Sequence, residues 1–149
     1  MAEESGKPEY LDPDEQEFHI LIIAKDAFML NRSAQFLTKR GWPTTVATSL
    51  QEAIQKAVTG KPDYIFVSVD HPSPKAARLP MVFTQTFNCT CVSFGEGSGA
   101  LTRKKIKESK AAHKMDLSPS GPSMHRFIKK LFMEQQGYDE NGEKKSKTV

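Results

Sequence analysis

The chain has 149 residues, of which 38% are hydrophobic and 26% are charged, and its formal net charge is +3. A chain of this length can form one domain with a hydrophobic core. Its ordinary composition excludes a fibrous or wholly disordered chain. The mild positive charge is too weak by itself to indicate nucleic-acid binding, and two cysteines are too few for a disulfide framework, which favours a reducing, cytoplasmic setting.

The two ends of the chain differ from its middle. Residues 1–17 are charged and contain two prolines, so we expect a polar N-terminal tail without the apolar core of a signal peptide. Residues 134–149 are polar and rich in lysine, and we expect a disordered tail or linker. No segment approaches the roughly 20 apolar residues of a membrane span, so no membrane association is expected. The predicted domain is residues 18–133.

Strand-like and helix-like segments alternate through this domain. Apolar runs rich in β-branched residues predict the strands, while stripes at helical spacing between capping residues predict the helices. In chain order these are strand 19–24, helix 26–41, strand 44–48, helix 49–60, strand 64–67, helix 79–87, strand 89–94, helix 101–112, strand 114–118 and a last helix with the stripe Met124, Phe127, Ile128, Leu131 and Phe132. In the first two helices the expected apolar faces include Met29, Ile54 and Val58.

This alternation predicts an α/β fold with a doubly wound, five-stranded parallel sheet and helices on both faces. The first, third and fourth strands are the most apolar and so the most central, which favours the flavodoxin-like order 2-1-3-4-5. Ligands and reacting groups of such sheets lie at the carboxyl ends of the strands. The segment Pro62–Pro72 therefore matters most, because its apolar run ends at Ser68, close to the sheet's rim.

The order of elements and the landmarks Gly41-Trp42, Pro72 and Pro119 resemble the receiver domain of bacterial response regulators over roughly residues 18–133. The resemblance implies a phosphorylation site at the rim and places its parts on specific positions of this chain. The Mg²⁺-binding acidic pair falls on Ala24 and Lys25, the phosphorylated Asp on Ser68, the strand-end hydroxyl on Ser93, the phosphate-gripping Lys on Ser118 and the aromatic switch residue on Met115.

These substitutions remove the groups that aspartyl phosphorylation needs. A methyl group and an ammonium replace the carboxylates that hold Mg²⁺, and a serine replaces the acceptor. We therefore expect a degenerate receiver, or pseudo-receiver: a signalling module of two-component or phosphorelay type that is not an enzyme and binds no metal or cofactor. We expect Asp26 to cap a helix and Asp70 to be a solvated loop residue rather than either being a metal ligand.

Two smaller clusters have structural and functional interpretations. Lys25, Ser68, Ser93 and Ser118 could form an anion pocket, although we favour hydroxyls that satisfy one another's hydrogen bonds. Cys89 and Cys91 lie on one side of a strand, and without a second ligand pair at zinc spacing we expect them to pack in the core.

A group of basic residues between positions 103 and 130 is the surface feature that says most about the kind of partner. It comprises Arg103, Lys104, Lys105, Lys107, Lys110, Lys114, Arg126, Lys129 and Lys130. The resemblance implies that the fourth helix, fifth strand and fifth helix form the face used for partner binding and dimerisation. We therefore predict an acidic protein partner, with a homodimer also open. The alternatives are a phosphorelay regulator that uses Ser68 or Asp70 as an unorthodox acceptor, and a nucleic-acid or anion-binding domain acting through the basic edge.

Overall fold

A computed structural model describes residues 9–73, 75, 77–97, 99–116 and 119–144. Five strands and five helices alternate. The strands are β1 Ile20–Ile23, β2 Thr44–Ala47, β3 Tyr64–Ser68, β4 Thr90–Phe94 and β5 His113–Met115, and the helices are α1 Ala27–Lys39, α2 Leu50–Gly60, α3 Leu79–Phe87, α4 Ala100–Glu108 and α5 Gly121–Gln135. A short 3₁₀ turn, Pro13–Glu15, precedes β1.

All neighbouring strands pair in parallel, in the order β2-β1-β3-β4-β5. The predicted fold class and strand order are thereby confirmed. Every residue of β1 and β3 is buried, whereas β2 at one edge is partly exposed. This is the burial expected when central parallel strands are covered on both faces and edge strands are not.

Each face of the sheet carries its own core. On one side Phe66, Val92 and Phe94 pack with residues of α1 and α5, with Trp42 fully buried beside them. On the other side Ile65, Val67 and Cys91 pack with residues of α2 and α3. Successive residues of a strand contribute to opposite cores because their side chains alternate.

The predicted caps begin the helices where the sequence places them. Asp26 accepts a hydrogen bond from the Phe28 N–H at 3.0 Å, which confirms its role as the N-cap of α1. Ser49 is the N-cap of α2, with its Oγ accepting from the Glu52 N–H, and Glu52 Oε1 accepts from the Thr48 N–H, one residue before the N–H that a capping box would use.

The helical faces differ in part from the predicted stripes. α1 buries Leu30, Ser33, Ala34 and Leu37, and Met29 is 56% exposed. In α2 only the small Ala53 and Ala57 are buried, while Ile54 and Val58 are about half exposed. α2 covers the sheet near its β2 edge, where too little sheet lies beneath it to bury a wide apolar stripe.

Two element boundaries are also corrected. α4 ends at Glu108 rather than near residue 112, and β5 begins at His113. Residues 117–118, which were expected to complete that strand, lie outside the described residues.

The described parts of the two chain ends contact each other. α5 continues to Gln135, and residues 138–144 fold back through a bridge between Tyr138 and Lys144. The N-terminal segment packs against this end, since the Gln136 amide exchanges hydrogen bonds with the Leu11 backbone at 2.6 and 3.0 Å. The contacts of residues 9–17 and 134–144 thus extend the packing beyond residues 18–133. Within the described ranges, no helix combines the length and apolar character that crossing a membrane requires.

Candidate functional site

The candidate site lies at the carboxyl ends of β1, β3 and β4. Because these strands are adjacent and parallel, the residues that follow them meet at one rim. β3 ends at Ser68, which is fully buried, and β4 ends at Phe94, its partner in the ladder. The loop after β4, residues 95–99, leads directly into α4.

A carboxylate from that loop occupies the rim. Glu96 Oε2 accepts a hydrogen bond from the Ser68 hydroxyl at 2.5 Å and another from the Lys25 N–H at 2.6 Å. Its second oxygen, Oε1, accepts from the Asp26 N–H at 2.8 Å. One carboxylate therefore ties the β4–α4 loop to the ends of both β1 and β3. Its negative charge also lies at the N-terminus of α1, where the helix dipole favours an anion.

A second carboxylate fastens the same loop from the other direction. Asp70 Oδ2 accepts hydrogen bonds from the Glu96 and Gly97 N–H groups at 2.8 and 3.1 Å, and Oδ1 accepts from the Thr102 hydroxyl at 2.9 Å. Thr102 belongs to the first turn of α4. Together these hydrogen bonds of the Glu96 and Asp70 carboxylates, which we call the rim clasp, tie the loop to the ends of β1 and β3 and to the first turn of α4.

The surroundings of Asp70 favour its charged form. Partial burial acts to raise the pKa of Asp70, but the hydrogen bonds from Glu96, Gly97 and Thr102, together with the charge of Lys105, outweigh it and lower the pKa. The expectation that Asp70 is a solvated loop residue is therefore wrong. Its carboxylate is a structural acceptor that holds the loop.

Neither Asp70 nor Asp26 joins a metal site in the described ranges. Asp26 directs its carboxylate to the first turn of α1, and Asp70 directs its own to the β4–α4 loop. Across the parts of the chain that the structure describes, no group of three or more His, Cys, Asp or Glu side chains could hold a metal ion.

The structure separates two hydroxyls that the sequence analysis grouped together. The ladder pairs Ser93 with Val67 and Ser68 with Phe94. Val67 belongs to the core under α2 and α3, and Phe94 belongs to the core under α1 and α5. Ser68 and Ser93 therefore face opposite sides of the sheet. The Ser93 hydroxyl is buried and makes no hydrogen bond to the described residues.

The remaining predicted site positions contribute little side-chain chemistry. Ala24 is fully buried, and Lys25 is exposed and reaches the site through its backbone N–H. Met115 is 1% exposed within the core that also holds Phe94. Ser118 lies outside the described residues. Cys89 and Cys91 are buried free thiols whose sulfurs lie 3.8 Å apart.

Sequence reasoning missed Glu96, whose carboxylate accepts three hydrogen bonds at the rim. Glu96 lies in the loop Gly95–Gly99, whose three glycines are typical of a flexible connection rather than of a binding site. The available signal was an acidic residue directly after a buried central strand, at the edge where binding groups gather.

The predicted basic surface divides into two parts. Six of its members line two clefts that flank β5: Arg103, Lys104, Lys107, Lys114, Arg126 and Lys130. The others do not line these clefts. Lys105 lies close enough to Asp70 to lower the pKa of that carboxyl, and Lys129 pairs with Asp14 at 3.0 Å.

Comparison with solved structures identifies the class to which this fold belongs, that of response-regulator receiver domains. The receiver domain of a modulated diguanylate cyclase from Desulfovibrio desulfuricans superposes with a TM-score of 0.64 at 14% identity, covering 81% of this chain and 98% of that one. A CheY-like receiver domain protein from Methanospirillum hungatei gives a TM-score of 0.60 at 15% identity, with the same coverage.

A response regulator from Thermotoga maritima is similar to the same degree, with a TM-score of 0.61 at 16% identity, covering 78% of this chain and 98% of that one. No protein-family model matches the sequence, and no curated protein matches it. The chain thus has the receiver fold, while its sequence is far from those of the solved receivers.

Proposed function

We propose that this chain is a pseudo-receiver: a non-enzymatic signalling module that is not phosphorylated on Asp and that acts by binding a protein partner. The partner-binding face is formed by α4, β5 and α5, and the partner presents an acidic surface. The chain needs neither a metal nor another cofactor for this role.

The observation that carries the proposal is the occupation of the rim by Glu96. A phosphoryl group would have to enter where the Glu96 carboxylate now accepts hydrogen bonds from Ser68, Lys25 and Asp26. Two negative groups would repel each other there without a cation between them. Ser68 itself donates to a carboxylate, but a hydroxyl is a poor nucleophile unless a base removes its proton as it attacks an aligned substrate.

Two features support the face of α4, β5 and α5 as the partner-binding surface: its positive charge and the rim clasp. Four cations and one anion line the cleft beside α4: Arg103, Lys104, Lys107, Lys114 and Asp116. The rim clasp holds the first turn of α4 through Thr102, and Met115 on β5 is buried. A face held in a single arrangement suits a partner that binds independently of phosphorylation.

The phosphorylation half of the proposal is tested by incubating the full chain with acetyl phosphate and Mg²⁺ and measuring its intact mass. We expect no phosphate adduct. An adduct that disappears in Ser68→Ala or Asp70→Ala would overturn the proposal in favour of a phosphorelay regulator with an unorthodox acceptor.

The partner half is tested by recovering bound proteins from a lysate of the native organism with the intact chain and with Lys104→Glu/Lys107→Glu. We expect an acidic protein that the variant fails to retain, and retention by both would contradict the proposed face. Titration of the chain with duplex DNA over a range of salt concentrations checks the competing function, since phosphate contacts give a steep loss of affinity with salt.

A further inference from the structure

The two edge strands of the sheet, β2 and β5, differ in what hydrogen-bonds to their outer backbone groups. At the β2 edge, the Thr44 N–H donates to Thr38 Oγ1 at 3.2 Å and the Val46 carbonyl accepts from Lys56 Nζ at 2.9 Å. Side chains of α1 and α2 therefore block that edge. β5 forms the other edge, and within the described ranges its backbone hydrogen-bonds only to β4. An edge strand with unpaired N–H and C=O groups is a template for another strand.

Room for a strand exists beside β5. A cleft of about 520 Å³ lies on its α4 side, and another of about 520 Å³ lies on its α5 side. Both clefts are lined by Lys114 and Asp116, so they adjoin along the strand and form one trough.

The two sides of the trough differ in chemistry. The α4 side is cationic, as described above, with the buried Ile106 among the residues that line it. The α5 side includes the apolar Phe127 and Leu131, and its charges are mixed. A strand lying along β5 points successive side chains alternately to these two sides. It therefore fits best if acidic residues alternate with apolar ones.

We propose that the acidic partner binds by adding a strand to the free edge of β5, with acidic side chains on the α4 side and apolar side chains on the α5 side. The inference rests on the proposed function and specifies the mode of binding. A second copy of this chain is a poor occupant, because pairing two β5 edges would bring their Lys114 side chains and the neighbouring cations together.

The experiment is an NMR titration of the ¹⁵N-labelled full chain with the peptide acetyl-Glu-Val-Glu-Val-Glu-Val-amide. We expect chemical-shift changes along β5 and slower hydrogen exchange of an outward-facing amide among His113, Lys114 and Met115. Binding should weaken as salt rises, because the attraction is partly electrostatic.

Two N-methylated peptides distinguish strand addition from simple charge attraction. Methyl groups on the nitrogens of all three valines, or of all three glutamates, leave the charge unchanged but remove the donors on one edge of the peptide. Only one edge faces β5, so we expect one methylated peptide to lose about tenfold or more in affinity relative to the other.

Matched protein variants locate the site. Lys104→Glu should weaken binding, and Lys39→Glu, the same charge change near the opposite edge, should weaken it much less. If both methylated peptides bind as tightly as the parent and still shift this face, the partner docks through side chains alone: the inference falls and the proposed function stands. If the parent peptide does not shift the face at all, the inference falls as well, and the lysate experiment with Lys104→Glu/Lys107→Glu decides separately whether the proposed function stands.

Discussion

Ser68 and Glu96, 28 residues apart in sequence, are joined by a 2.5 Å hydrogen bond at the carboxyl end of the central strand β3. The bond turns a candidate reaction site into a structural contact, because the same carboxylate also accepts from the Lys25 and Asp26 N–H groups. The β4–α4 loop thus covers the rim of the sheet through Glu96, and the same loop leads into α4.

Removing the Glu96 carboxylate should release the β4–α4 loop. Glu96→Ala leaves the Ser68 hydroxyl and two N–H groups without their acceptor, so we expect a loss of about 1–3 kcal/mol in the free energy of unfolding. Hydrogen exchange of the Lys25 and Asp26 amides should also accelerate. Urea unfolding and exchange measurements check both effects. Glu108→Ala, an exposed position on α4, is the control and should change little.

An acid at position 68, to which the resemblance assigns the receiver's acceptor, should destabilise this chain. Ser68→Asp places a second carboxylate against Glu96, and we expect a loss of about 2 kcal/mol or more because two adjacent anions repel each other. Glu96→Gln should relieve much of that loss, so the double variant should be more stable than the sum of the single effects predicts. Additive losses in a double-mutant cycle would contradict this account.

Asp70 should make stability depend on acid pH. Its pKa in the folded state is lowered, so its contribution is present above the ordinary carboxyl pKa of about 3.9 and is lost as pH falls through the lower folded value. The native chain should therefore lose more stability than Asp70→Asn when the pH falls from about 5 to about 3. Urea unfolding at several pH values measures the difference, and identical pH profiles would argue against the loop-fastening role of the Asp70 charge.

Gly121, at the start of α5, should tolerate no side chain. A Cβ there would lie 2.5 Å from the Cβ and Cγ of Phe36, a closer approach than packed atoms allow. We expect Gly121→Ala to cost about 1–3 kcal/mol through displacement of α5 from α1. Gly60→Ala is the matched control, since a Cβ at Gly60 meets nothing within 4 Å and alanine favours the helix. Thermal unfolding of both variants checks the contrast.

The sequence by itself determined the framework of the fold. Unbroken apolar runs can be buried only in central strands, and their alternation with capped helices admits few topologies, so the sheet order followed from the relative hydrophobicity of the strands. That Ala24 and Lys25 carry no carboxylate was equally visible, because it depends only on which residues stand after the first strand.

Only the tertiary structure decided what fills the rim. The contacts of Glu96 with Lys25 and of Asp70 with Thr102 join residues 71 and 32 positions apart, and they depend on loop paths that no sequence period encodes. The separation of Ser68 from Ser93 likewise follows from the register of the paired strands, since a shift of one residue would place both hydroxyls on the same face of the sheet. The periodic pattern of apolar residues that predicts burial can be read from the sequence. Which polar side chains of separate loops come into contact is determined only when those loops pack in the folded chain.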